Sequence, residues 1–171
     1  EGHSYTIYSL AYSPDGKNLA TGEWQSIWIW NIEDSSRTMT LDGHTGWVFD
    51  IDYSPDGKLL ATGSGDDTAK VWDISEGRLI YTLEGFTNDV RSVSFSPDGA
   101  QLVTGSSDQT LKIWNVSDGS LLRTIEKVGG TIYEVTFSPD GSQIAVALSN
   151  SEVQIYNVSD GSLVRELNGP D

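Results

Sequence analysis

Short runs in which apolar and polar residues alternate recur along the whole chain, each bounded by Pro, Gly, Asp or Asn. Strict alternation puts the apolar side chains on one face of an extended strand, so these runs predict β-structure. The pattern is clearest in the third quarter of the chain, where residues 90–96, 101–106, 110–115 and 121–125 read as four successive strands. Pro97-Asp98-Gly99 separates the first two as a turn in which proline presets φ and glycine accepts a positive value. Asp118-Gly119 joins the last two as a hairpin turn for the same reason. No segment carries the 3.6-residue period of an amphipathic helix.

The four-strand pattern repeats. Ser-Pro-Asp-Gly occurs at 13–16, 54–57, 96–99 and 138–141, so that successive copies lie 41, 42 and 42 residues apart. A second series stays in phase with it: Trp30-Asn31, Trp72-Asp73, Trp114-Asn115 and Tyr156-Asn157, each 42 residues from the last. A third, Gly2-His3, Gly43-His44 and Gly85-Phe86, precedes each Ser-Pro-Asp-Gly by eleven residues, and Lys127-Val128 takes its place in the fourth copy. Three markers on one period define four tandem units, at about 1–42, 43–84, 85–126 and 127–169, within a single repeat module.

The Gly-His pair, the Ser-Pro-Asp-Gly turn, the Trp-Asp type of ending and the roughly 42-residue spacing together resemble the WD-repeat family over nearly the whole chain. That resemblance implies an all-β propeller of four-stranded antiparallel blades, four per chain. WD-type blades usually close in rings of seven or eight, so two copies of four are expected to complete an eight-bladed ring as a homodimer. The terminal repeats depart furthest from the others, which adaptation of a junction between copies would explain, as would drift.

Composition narrows the functional classes. A chain of 171 residues with 37% hydrophobic and 10% aromatic residues carries enough apolar surface to fold. A formal charge of −15 opposes binding to nucleic acid or to an anionic membrane, both of which need Lys and Arg to neutralise phosphate. The absence of cysteine removes disulfides, thiolate metal sites and cysteine nucleophiles together. No apolar run approaches the 18 residues of a membrane helix, which leads to the expectation of a soluble, cytoplasmic protein. Met39 is the single methionine, so the numbering is expected to begin inside a longer or processed product.

The second repeat holds His44, Thr62, Asp66 and Trp72, the residue types of a hydroxyl–imidazole–carboxylate relay. In WD-repeat proteins the matching positions form a structural network inside the blade, and that is the role expected here, with no catalytic residue and no enzymatic activity. The third repeat keeps Thr104, Asp108 and Trp114 but has Phe86 for the histidine, so its network should give way to packing. The first keeps His3, Thr21 and Trp30 but is one residue short, which brings Trp24 to the aspartate position. The fourth, with Val128, Val146, Asn150 and Tyr156, matches nowhere. If catalysis required the set, three of the four copies would be inactive, whereas a structural device can be lost blade by blade and compensated.

Asp50 with Asp52, and Asp66 with Asp67, are carboxylate pairs without the spacing of a calcium loop, so no metal and no cofactor are expected. Asn115-Val116-Ser117 and Asn157-Val158-Ser159 match the glycosylation acceptor pattern but fall in the slot of Asp73, which makes them repeat grammar. Partners of WD-repeat proteins dock where the loops enter the innermost strands. By position this face is Thr6, Tyr8, Trp47, Phe49, Asp89, Arg91, Thr131 and Tyr133, with Glu23, Gly65, Ser107 and Ser149 nearby. Half of the eight are aromatic, the residue type that dominates interface hot spots. The expected function is a non-enzymatic platform for a protein or peptide. The alternative is a purely structural half-propeller or assembly unit, natural or engineered, with no ligand of its own; a hydrolase comes third.

Overall fold

The computed structural model describes residues 2–167, so the outer limits of the first and fourth repeats, at 1 and 168–169, lie outside the described residues. Among the described residues every regular element is a strand. The first repeat contributes β1 (Ser9–Tyr12), β2 (Asn18–Gly22) and β3 (Trp24–Asn31). β4 (Arg37–Tyr53) runs from the first repeat into the second, which continues with β5 (Leu59–Ser64), β6 (Ala69–Asp73) and β7 (Arg78–Leu83). The third holds β8 (Val90–Phe95), β9 (Gln101–Ser106), β10 (Leu111–Asn115) and β11 (Leu121–Ile125). The fourth holds β12 (Ile132–Phe137), β13 (Gln143–Leu148), β14 (Val153–Asn157) and β15 (Leu163–Leu167).

The strands form three antiparallel sheets in chain order, one of seven strands (β1 to β7) and two of four (β8 to β11 and β12 to β15). The seven-stranded sheet arises because β4 serves both of its repeats. Its first half pairs with β3, Leu41 facing Ile27, and its second half pairs with β5, Ile51 facing Thr62. The first repeat's missing residue helps to explain this continuity, since a shortened β2–β3 connection brings Trp24 into register with Trp47 and holds the chain extended through the periodic boundary at 42/43.

The Ser-Pro-Asp-Gly turns are built alike. In each, the glycine N–H donates to the serine carbonyl at 2.8 Å, and the glycine φ lies at +69° to +72°, the left-handed region that glycine enters without a Cβ clash. The aspartate accepts from the serine hydroxyl and from the N–H two residues on, as Asp15 does with Ser13 and Lys17. Sequence chemistry here sets the first hairpin of every repeat.

Hydrophobic cores lie between repeats rather than within them. Ala20, Ile27, Ile29 and Leu41 of the first repeat pack on Ile51, Tyr53, Leu60 and Trp72 of the second. Ala61, Ala69 and Val71 pack on Val93, Phe95 and Trp114, and Leu111 and Ile113 pack on Val135, Phe137 and Tyr156. The inner strands neighbour one another in the order β1, β4, β8, β12, and no comparable packing joins β12 to β1 among the described residues. Leu10 and Tyr12 on β1 are accordingly 62% exposed, while the matching pairs Ile51/Tyr53, Val93/Phe95 and Val135/Phe137 are all 8% or less.

Candidate functional site

Two groups of side chains stand out, one buried and one at the rim. In the second repeat the strands bring His44, Thr62, Asp66 and Trp72 into one chain of contacts. Trp72 Nε1 donates to Thr62 Oγ1 at 3.0 Å, Thr62 Oγ1 lies 2.7 Å from His44 Nε2, and His44 Nδ1 lies 2.8 Å from Asp66 Oδ2. Neutral His44 satisfies every partner, taking the Thr62 proton at Nε2 and giving its Nδ1 proton to Asp66. Burial holds the imidazole below its usual pKa, against the pull of Asp66. Burial would raise Asp66, but its bond to His44, reinforced by Thr68 and the Thr45 N–H, holds it below the usual carboxylate range. Thr62 and the His44 side chain are completely covered.

The other repeats rebuild this chain with different parts. In the third, Trp114 still donates to Thr104 at 3.0 Å, and Phe86 fills the histidine site 6.0 Å from Trp114. Asp108 keeps its remaining partners, the Thr87 N–H and the Thr110 N–H and hydroxyl. In the first, His3 Nε2 lies 2.8 Å from Thr21 Oγ1, which accepts from Trp30. A carboxylate does stand beside the imidazole: Glu23 Oε2 lies 3.1 Å from His3 Nδ1 without hydrogen-bond geometry, and Glu23 accepts instead from the Tyr5 N–H and the Ser26 hydroxyl. Two sequence expectations therefore need correction. Trp24 does not stand in for the aspartate, and Glu23, 3% exposed, is no rim residue. With one residue fewer in the loop, the longer glutamate reaches inward from the preceding position. The fourth repeat replaces the imidazole with Val128 and the threonine hydroxyl with Val146, both apolar and buried, and Tyr156 donates instead to Gln154.

At the rim, none of Thr6, Tyr8, Trp47, Phe49, Asp89, Arg91, Thr131 and Tyr133 is buried; Tyr8 and Tyr133 are more than half exposed. The aromatic members form a continuous arc. Trp47 is met edge-on by Tyr5, Tyr8 and Trp24, with centroids 6.1, 5.1 and 5.0 Å away, and Tyr8 meets Phe49 at 5.7 Å. The Arg91 guanidinium bridges the rest, 4.8 Å from the Phe49 centroid and 5.8 Å from that of Tyr133. It is held in place by Asp89 Oδ2 at 2.9 Å and Ser107 Oγ at 2.8 Å. Gly65 leaves room for the Phe49 ring, and Ser149 accepts from the Thr131 N–H. Carboxylates crowd beside the arc: burial and the charges of Asp89, Asp66 and Asp108 raise the pKa of Asp67. Tyr5 and Trp24 complete the arc and were not among the positions expected from the sequence, because the short β2–β3 connection is what delivers Trp24.

The family model of the IFT122 first beta-propeller matches residues 6–171. The chain belongs to that WD-repeat β-propeller family. No curated protein matches it. Membership places the chain among protein-interaction scaffolds that are generally non-enzymatic. Among the described residues no helix is long and apolar enough to cross a membrane.

The remaining candidates of this WD-repeat chain take part in joining repeats and shaping turns. Asp50 accepts from the Ser92 hydroxyl and the Val93 N–H, both at 2.8 Å, and Asp52 accepts from the Phe95 N–H at 2.7 Å. These carboxylates satisfy the edge of the next inner strand. Burial raises both, Asp52 to about 6 with the neighbouring Asp50 charge adding to it. Asn115 Oδ1 accepts from the Ser117 N–H and hydroxyl, as Asp73 does from Ser75. Asn115 thus takes the part of a turn-forming aspartate, whereas Asn157 Nδ2 at the matching position donates to the Ser162 hydroxyl at 3.0 Å.

Proposed function

We propose that this chain is a non-enzymatic platform that binds a protein or peptide segment on the aromatic arc around its inner strands. The observation that carries this reading is the arc itself, which runs from Trp24 through Trp47, Tyr8 and Phe49 to Arg91 and Tyr133 and so draws on all four repeats. Aromatic rings with free edges and a pre-positioned arginine supply large contact area at little ordering cost. The acidic surround and the charge of −15 favour basic or neutral partners. Panning a random peptide library on the protein tests the reading. It should enrich Lys- or Arg-bearing peptides whose binding weakens with salt and is lost in a Trp47→Ala/Phe49→Ala variant that circular dichroism shows to be folded. Enrichment of nothing, or equal binding by the variant, would defeat it.

The buried relay argues against a hydrolase, since no substrate atom can reach Thr62 Oγ1 without separating two packed repeats.

A second reading is favoured by Leu10 and Tyr12. Among the described residues nothing covers the face of β1 that carries them, and a second copy would cover it by completing an eight-bladed ring. Light scattering should then report about twice the chain mass, and a monomer at every concentration would remove this reading while leaving the first intact.

A further inference from the structure

Three junctions between consecutive repeats are visible, and each is made at the same three places. On the inner strand, a polar side chain reaches the next repeat's inner strand: Ser9 donates to the Val48 carbonyl, Asp50 accepts from the Val93 N–H, and Ser92 accepts from the Val135 N–H. At the Ser-Pro-Asp-Gly turns, Pro14 packs on Gly57, Pro55 on Gly99 and Pro97 on Gly141. On the outer strand, Met39 covers Gly77, the Tyr81 hydroxyl donates to the Ser117 carbonyl at 2.8 Å, and Arg123 donates to the carbonyls of Ser159 and Asp160 at 2.9 and 2.8 Å.

The fourth repeat carries the same three parts, Glu134, Pro139 and Arg165, with Glu134 and Arg165 both exposed. Neither makes a side-chain hydrogen bond or ion pair among the described residues. The first repeat carries the receiving parts: the Leu10 N–H at the register of Val93 and Val135, an open Gly16 with nothing within 4 Å of a Cβ position, and the turn at Glu33, Asp34 and Ser35, where Ser35 has the positive φ of Gly77, Gly119 and Gly161.

We propose that these sets meet between two copies of the chain, so that Glu134 accepts from the partner copy's Leu10 N–H, Pro139 seats on its Gly16, and Arg165 donates to the carbonyls of its Glu33 and Asp34. The inference rests on the self-assembly reading above and deepens it by naming the contacts that lock the copies. The junction is head to tail, so a two-fold rotation supplies a second one and closes the particle. It differs from the internal junctions at one point. Ala147 stands where Gly22, Gly63 and Gly105 admit Val48, Val90 and Ile132, so Ile7 of the partner copy must sit slightly further out.

The test uses two variants of the full chain, each altered on surface that is exposed without a partner. The tail variant is Glu134→Lys with Arg165→Glu; the head variant is Leu10→Asp with Tyr12→Asp. Sedimentation equilibrium should show a wild-type dimer and, for each variant alone, an association weakened at least about a hundredfold. Mixing the two should restore dimers weaker than wild type, because the head variant's tail and the tail variant's head still form one intact junction. A tail variant that dimerises like wild type, or a mixture no better than its components, overturns the contacts named here while a wild-type dimer upholds self-assembly. A wild-type monomer overturns both.

Discussion

Replacing His44 separates the packing role of the buried relay from its hydrogen bonding, because the third repeat already contains the control. Phe86 occupies the His44 site there, 8% exposed, with the Lys112 ammonium 5.3 Å above its ring, and the second repeat offers Lys70 at the same place. In His44→Phe, Asp66 keeps the Thr45 N–H at 2.9 Å and the Thr68 N–H and hydroxyl at 3.1 and 2.6 Å, nearly the set that satisfies Asp108. Only the Thr62 hydroxyl loses its acceptor, and it can turn to the Lys70 carbonyl as Thr104 turns to that of Lys112 at 3.5 Å. One weakened buried hydrogen bond costs about 1 kcal/mol. His44→Ala leaves the same hydroxyl unpaired and also a void beside Trp72, which together cost about 3 kcal/mol. For a chain of this size these correspond to Tm losses of roughly 2–4 °C and 6–12 °C. The assay is thermal and urea unfolding at one fixed protein concentration, because self-association would tie Tm to concentration. Equal losses for Phe and Ala would refute the argument, since they would mean that the imidazole contributes through polarity alone; no loss in either would mean that the relay contributes nothing.

Glu23→Ala should destabilise by about 1–3 kcal/mol, as loss of a paired buried group does, and a neutral result in unfolding would remove Glu23 as the carboxylate of the first repeat. Asp52 titrates near 6 in the fold and near 3.8 in the unfolded chain, so its charge costs stability fully above pH 6, and the cost fades as pH falls toward 3.8. Asp52→Asn should therefore gain on the order of 1–3 kcal/mol at pH 7 and almost nothing at pH 4; a gain independent of pH would contradict this. A Cβ on Gly105 would overlap Ile132 and Val135 across the junction, so Gly105→Ala should cost about 1–3 kcal/mol, and an unchanged urea midpoint would show that the junction is slack.

Strands and turns were legible because their signals are local: alternation names the buried face, and Ser-Pro-Asp-Gly encloses its own hydrogen bonds. The relay residues of the second repeat were legible because the resemblance to WD repeats implies a network at the positions of His44, Thr62, Asp66 and Trp72, and the common register showed which of these residue types each other repeat lacks. Glu23 escaped because register fails where a residue is missing, and there the reach of a side chain decides which carboxylate arrives. Asp50 and Asp52 were visible only as a carboxylate pair, since their role depends on the free N–H groups of Val93 and Phe95, some 43 residues away. Nothing local distinguishes 42–46 as extended from the corresponding loop at 84–88; the difference lies in Trp24 pairing with Trp47.

The unbroken β4 gives the array an uneven mechanical character. Its 17 residues have a contour length on the order of 55 Å and no slack between the first two repeats, whereas irregular connections separate β7 from β8 and β11 from β12. Opening the first repeat must strip the same backbone that the second relies on, so their amides should exchange with deuterium as one cooperative block while the fourth repeat opens independently. Under load, the first two repeats should yield in a single step, and the chain should tear first at the connections it does not share.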